Sequence, residues 1–326
     1  MVNKKGKNIK DITIQETNDN SILSKASIVT SGYFHDPYLP LFTTRVPRRA
    51  PLVHRGYYCR AKTIDHSLRT FIQHQHDNET RFQIVSLGAG FDTSYFRLKE
   101  LGLLNKCRFI EIDFEDVMRR KIAIIKQHQV LSHTIGNFET GKTDHSLKSD
   151  DYVIIPCDLT NLKALESYMN KFEVDFDFPT LFFSECVLTY VDFQHSVKLL
   201  EWIQNKFKRT ALVIYEQIRP DDAFGRIMMR HFEKVQSPLR RIRELCDMEK
   251  HKAMLRKLSY QDVLAFDLNY FYTYYLDKEE KERIVQLEYF DEYEEWNLKC
   301  AHYIITAAFS GMPFKIISYY YLNDAF

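Results

Sequence analysis

The stretch "RFQIVSLGAGFDTSYFRL", residues 81–98, decides the fold. Its first part, "FQIVSL", is a continuous apolar run, as expected of a strand buried on both faces. A glycine turn follows, Gly88-Ala89-Gly90, and then Phe91, Asp92 and a helical pattern. Strand, glycine turn and helix open a doubly wound α/β sheet, and such sheets take ligands beyond the carboxyl ends of their strands. Gly88 and Gly90 let the backbone approach a ligand where a Cβ would obstruct it. A dinucleotide fingerprint needs a third small residue, where this chain has Thr93. The turn itself lacks the Gly-Lys-Ser/Thr of a phosphate-binding loop. Asp92 would repel a pyrophosphate, and it suits a ligand that carries an ammonium and a sulfonium. S-adenosylmethionine is such a ligand.

Outward from the turn, strands and helices alternate. "CRFIEIDF" (107–114), "YVIIPCDL" (152–159), "PTLFFSECVLTY" (179–190) and "TALVIYEQI" (210–218) read as strands. "EDVMRRKIAIIKQHQ", "NLKALESYMNKF" and "FQHSVKLLEWIQNKF" read as the helices between them. This alternation implies a parallel sheet with right-handed crossovers. Residues 136–151 read as a polar insertion. Residues 1–20 are polar and aperiodic and read as a disordered tail. The rest, 21–326, reads as one domain. It has a helical extension over 21–80 and an inserted helical cap over about 219–290. "HYIITAAFSG" (302–311) and "FKIISYYYL" (314–322) read as a terminal antiparallel hairpin around Gly-Met-Pro. A doubly wound, Rossmann-like sheet with such a hairpin is the pattern of a Class I S-adenosylmethionine-dependent methyltransferase.

The charge is nearly balanced, with 45 Lys plus Arg against 44 Asp plus Glu. It gives no global argument for nucleic acid or an anionic membrane as partner. The local basic stretches are "RVPRR" (45–49) and "SPLRRIRELCDMEKHK" (237–252). The six cysteines form no CxxC and none stands beside a His at metal-ligand spacing, so no metal site is expected. The N-terminus lacks an apolar signal region, and no run of about 18 apolar residues offers a membrane span. A monomer of a reducing compartment is expected, cytoplasmic with the nucleus also open to it.

Further ligand groups stand at successive strand ends. Asp113 closes "IEID" and is placed to accept both hydroxyls of a ribose. That role does not separate a nicotinamide dinucleotide from S-adenosylmethionine. Asp158 and Leu159 close the next strand, where they would meet an adenine amino group and ring face. Glu185 closes the strand beside the glycine turn, where its carboxylate would hold an α-ammonium. Each acid has an alternative reading as a helix cap or loop residue.

"SGYFHDPY", "RGYYCR", "VSLGAGFDTSYFRL", "EIDF", "CDL", "SECVLTY", "YEQI…FGRIM" and "LEYFDEYEEW" occur in this order. Together they resemble the leucine carboxyl methyltransferase family over about residues 22–310. The resemblance implies methylation of the C-terminal leucine carboxylate of the protein phosphatase 2A catalytic subunit, with S-adenosylmethionine as donor. The methyl ester would regulate holoenzyme assembly. It further implies that Lys25 and Arg60 lie at the cofactor's methionine end, with Arg60 pairing its carboxylate. Gly88 would contact the cofactor, Asp113 the ribose, Asp158 and Leu159 the adenine, and Glu185 the amino group. Tyr190 would lie where substrate carboxylate and methyl meet, so Tyr190, Lys25 and Arg60 are the catalytic candidates. A longer relative acts in wybutosine synthesis on transfer RNA and carries kelch repeats. The lack of repeats before Phe326 favours the leucine enzyme on this reading. A nicotinamide oxidoreductase and a non-catalytic phosphatase-binding protein are the competing expectations.

Overall fold

The computed structural model describes residues 9–78, 80–142 and 144–312, with side chains from Asn18 onward. Among the described residues nine strands form one sheet in the order β3-β4-β5-β2-β1-β6-β7-β9-β8. Its centre is parallel: β1 (Phe82–Leu87) lies between β2 (Cys107–Asp113) and β6 (Thr180–Glu185). β5 (Tyr152–Pro156) extends it beyond β2, and β7 (Thr210–Gln217) beyond β6. The chain winds one way through β1, β2 and β5, then crosses back to β6 and β7. The switch point therefore falls between β1 and β6, the crevice where such sheets bind ligands.

Every residue of β1 is buried. Alternate side chains of a strand face opposite ways. Ile84 joins a core with Leu68, Phe71 and Phe109, while Val85 joins one with Ile110, Leu165 and Leu199. The first core is covered by α1 (Ile9–Thr30) and α2 (Pro51–Asp77), together with α3 (Ser94–Glu100), α4 (Glu115–Gln127) and α5 (Gln129–Ile135). The second is covered by α6 (Leu162–Lys171), α7 (Phe193–Lys206) and, in the later region, α9 (Met248–Lys257). α8 (Ala223–Lys234), α10 (Leu268–Tyr274), α11 (Lys278–Leu287) and α12 (Tyr293–Cys300) complete the helices described.

Three expectations need correction or narrowing. Disorder was expected through residue 20, yet residues 9–20 open α1. Their polar composition hid this, because the helix is tied down by tertiary contact and not by its own propensity. The insertion at 136–151 contains a small hairpin, β3 (Phe138–Thr140) and β4 (Leu147–Ser149), at the sheet edge. The cap expected to be helical contains β8 (Asp262–Asp267), the opposite edge strand. "DVLAFD" is half exposed and runs into a tyrosine-rich helix, so it lacks the buried apolar run that marks the central strands. β9 (Tyr303–Ser310) lies antiparallel between β7 and β8. The strand expected over 314–322 lies outside the described residues.

A buried ion pair fixes the glycine turn to the sheet. Lys121 of α4 pairs with Glu111 of β2, and both side chains are fully buried. The Lys121 ammonium also donates to the Asp92 carbonyl at 2.7 Å, and the Tyr152 hydroxyl donates to Glu111 at 2.8 Å. Burial pushes the Glu111 carboxyl up to about 7. Thr93, standing where a dinucleotide fingerprint has its third small residue, donates its hydroxyl to Asp36 at 2.5 Å. That bond anchors the N-terminal extension to the start of α3.

Candidate functional site

One cavity of about 1060 Å³ opens beyond the carboxyl ends of the central strands. All eight residues expected from the sequence line it: Lys25, Arg60, Gly88, Asp113, Asp158, Leu159, Glu185 and Tyr190.

The glycine turn forms its floor. Gly88 and Gly90 have φ of +69° and +52°, in the left-handed region that favours glycine. A Cβ on Gly88 would stand 2.4 Å from Val187 Cγ1, and one on Gly90 would stand 2.4 Å from Asn18 Oδ1. The Gly88 and Ala89 amides both donate to the Ile112 carbonyl, at 2.8 and 3.0 Å. The turn is thus pinned to the end of β2, the strand that carries Asp113.

Asp113 accepts backbone N–H bonds at both oxygens, from Gly90 at 2.7 Å and from Phe114 at 2.7 Å. Burial pushes its carboxyl up to about 6, and the Gly90 amide works against that rise. Each oxygen keeps a free lone pair, as two ribose hydroxyls require. Asp158 is exposed, and its Oδ1 accepts from the Thr160 amide and hydroxyl, each at 2.8 Å. The loop-residue reading therefore holds for that oxygen. Leu159 beside it is buried and presents an apolar wall.

At the other end Glu185 gathers two cations. Lys25 of α1 lies 2.8 Å from one carboxylate oxygen and 2.9 Å from the other. Arg60 of α2 donates its Nε to the first of these oxygens. Glu185 remains below the ordinary carboxylate range, because Lys25 and Arg60 outweigh its burial. Lys25 also lies 4.0 Å from Asp92. The resemblance implied a ligand carboxylate for Arg60, and the strand end suggested a ligand ammonium for Glu185. Here the two side chains bond each other, which leaves the outer guanidinium nitrogens of Arg60 for a ligand.

Tyr190 is buried on the far wall with Met228, Met229, Leu239 and Ile242, its ring 6.3 Å from Phe232. Burial raises its phenol well above the ordinary range, so it is neutral at pH 7. Sequence reasoning missed several lining groups. Asn18 accepts the Phe91 amide at 2.9 Å from within the supposed tail. Arg240 faces Asp192 at 3.6 Å, and Lys299 enters from α12. A legible signal for Lys299 was Gly56, a glycine inside a helical pattern.

The cavity suits S-adenosylmethionine. A floor without Cβ atoms leaves room for close backbone approach, a half-buried acid stands at the strand end where a ribose is expected, and an acid–cation cluster stands where the methionine end is expected. Two anions near the floor, Asp92 and Asp113, favour a cationic ligand over a pyrophosphate.

Comparison with known proteins agrees. The sequence profile described as "Leucine carboxyl methyltransferase" matches residues 11–204, more than half of the chain. The "tRNA wybutosine-synthesizing protein 4" of Homo sapiens is 41% identical over 302 residues, 91% of this chain and 44% of that protein. The chain thus spans under half the length of that relative. The "Leucine carboxyl methyltransferase 1 homolog" of Arabidopsis thaliana is 34% identical over 296 residues, 90% of this chain and 88% of the relative. "Leucine carboxyl methyltransferase 1" of Schizosaccharomyces pombe is 33% identical, over 90% and 94%. A solved structure of a DUF574 family protein from Streptomyces avermitilis shares the fold, with a TM-score of 0.50, 9% identity and coverage of 80% and 86%. The chain belongs to the leucine carboxyl methyltransferase family.

Proposed function

We propose that the chain methylates a carboxylate borne by a macromolecule, and that the cavity holds the cofactor with its methionine end at Glu185 and its ribose at Asp113. The observation that carries this is the pairing of Lys25 and Arg60 on Glu185 at the end of the cavity opposite Asp113. S-adenosylmethionine supplies a methyl on a sulfonium, which passes to a carboxylate oxygen as the S–C bond breaks and the O–C bond forms. A carboxylate is already ionised at pH 7, so no general base is needed. The residues have two tasks, alignment and exclusion of water. Alignment supplies roughly 7–11 kcal/mol of barrier reduction in favourable cases. Tyr190 and its apolar neighbours dry the far wall.

Two carriers fit. The relatives named leucine carboxyl methyltransferase 1 support the C-terminal leucine of the protein phosphatase 2A catalytic subunit, and they match over about 90% of both chains. A carboxylate on a transfer RNA base is supported by the higher identity, 41% against 34%. It is supported also by α8, where Arg226, Arg230 and Lys234 are exposed at i, i+4 and i+8. Ile227, His231 and Val235 of that helix line the cavity, so the basic row flanks its mouth and suits a phosphate backbone. Identity ranks the transfer RNA carrier first.

The test supplies methyl-labelled cofactor with the phosphatase subunit, with the same subunit lacking its last leucine, and with transfer RNA from cells lacking this chain. Alkali-labile label in the RNA fraction supports the first carrier. Label lost with the leucine supports the second. Absence of alkali-labile label from all three refutes carboxyl methylation of either carrier.

A further inference from the structure

Among the described residues five Lys or Arg side chains line the cavity: Lys25, Arg49, Arg60, Arg240 and Lys299. Lys25 and Arg60 are committed to Glu185, and Arg240 faces Asp192. Lys299 differs. Its ammonium makes no ion pair or hydrogen bond with any described residue, although the side chain is partly buried. Burial pushes its amine below the ordinary lysine range. A half-buried cation without a counter-ion is a site prepared for an anion.

The structure also makes room for it. Lys299 crosses α2 at Gly56, where a Cβ would stand 3.0 Å from Nζ and 3.2 Å from Cε. Glycine inside a helix costs about 1 kcal/mol relative to alanine, and here the bare backbone is where the lysine lies. Gly56 and Arg60 are one turn apart on the same face of α2, roughly 6 Å. Arg49, the other cation with no carboxylate partner among the described residues, precedes α2. It stands roughly 15 Å along the helix axis from Arg60. Among the described residues Lys299 is therefore the unpaired cation that lies beside the Arg60–Glu185 end, and Tyr57 and Tyr303 line the same cavity.

We propose that Lys299 binds the carboxylate that is to be methylated, one helical turn from the Arg60–Glu185 pair. This rests on the carboxylate reading above. In the transfer, a lone pair of one carboxylate oxygen forms the O–C bond and the sulfur leaves with the S–C pair. The lysine keeps its proton throughout. A point charge can hold one oxygen and leave the other to attack, whereas a guanidinium fork would engage both. The geometry thus calls for lysine and not arginine at this position.

The test compares wild type with Lys299→Met, Lys299→Arg and Gly56→Ala. In Lys299→Met the KM for the carrier rises about ten- to a hundredfold, the loss expected for a hydrogen bond to a charged group. Affinity for S-adenosylhomocysteine stays within about twofold, because in this assignment Arg60 and Glu185, and not Lys299, hold the methionine end. In Lys299→Arg the KM recovers while kcat falls. Gly56→Ala keeps the charge, displaces Nζ and raises KM. An unchanged KM in Lys299→Met overturns the proposal. A second readout needs no turnover: acetylation of Lys299 by dilute acetic anhydride, followed by mass spectrometry on the S-adenosylhomocysteine complex. N-acetylleucine protects the amine and N-acetylleucinamide does not. Equal labelling with both probes overturns the proposal even if neither carrier is methylated, and protection without methylation places the failure in the choice of carrier.

Discussion

The two ends of the cavity hold their acids in opposite ways. Asp113 is met by two backbone amides and its carboxyl rises to about 6. Glu185 is met by two cations and its carboxyl falls below the ordinary range. The first end is built from nearby chain: Asp113 closes β2, and the amides come from the glycine turn and the next residue. The second is built from afar, since Lys25 and Arg60 stand 160 and 125 residues from Glu185. A neutral donor set can release its acid to two hydroxyls. A charged one fixes its acid and leaves further donors outward.

The largest test of this contrast is Glu185→Ala. It strands two partly buried cations, and breaking a buried pair costs about 3–5 kcal/mol. The cluster is 10–16% exposed, so a value toward the lower bound is expected from urea unfolding, with cofactor binding lost. A change under about 1 kcal/mol would place the cluster in effective contact with water.

Gly88→Ala comes next. Its φ of +69° carries about 1–3 kcal/mol of strain for a residue with a side chain, before the overlap with Val187. Adding Val187→Ala removes the two methyls at 2.4 and 2.5 Å, leaves Val187 Cβ at 3.0 Å, and recovers part of the loss. Full additivity of the two substitutions in a double-mutant cycle would show that the contact is not shared.

The smallest effect is the pH dependence at the Asp113 end. Its folded carboxyl lies above the unfolded value of 3.8. Taken alone, it contributes stability that is present below the unfolded value and lost as pH rises through about 6. Ribose hydroxyls donate, so they favour the ionised form. Cofactor affinity therefore falls as pH drops below about 6, by at most about tenfold per pH unit. Titration of Asp113→Asn between pH 5 and 7 loses that slope, and a slope equal to wild type would assign it to another group.

The same contrast explains what the sequence made legible. β1, β2, β5, β6 and β7 were readable because each is a buried apolar run ending in a turn or an acid. Asp113 and Glu185 could be placed from strand ends alone. The partners could not. Asn18 lies in polar sequence that gives no helical face, and its contact with Phe91 exists only once α1 packs against the turn. The bond between Arg60 and Glu185 depends on where α2 lies over the sheet, which no local pattern records. β8 escaped because an edge strand with one half-buried face shows neither alternation nor a continuous apolar run. Lys299 was hidden because its approach to α2 depends on how α12 packs, although Gly56 marked the place where something crosses the helix.

The central claim is that this cavity holds S-adenosylmethionine along the line from Asp113 to Glu185. Calorimetric titration of the wild-type chain with S-adenosylhomocysteine, and separately with NADH, tests it directly. Saturable one-to-one binding of S-adenosylhomocysteine, weakened in both Asp113→Asn and Arg60→Ala, with no heat from NADH, is the predicted result. Tight binding of NADH with none of S-adenosylhomocysteine would contradict it.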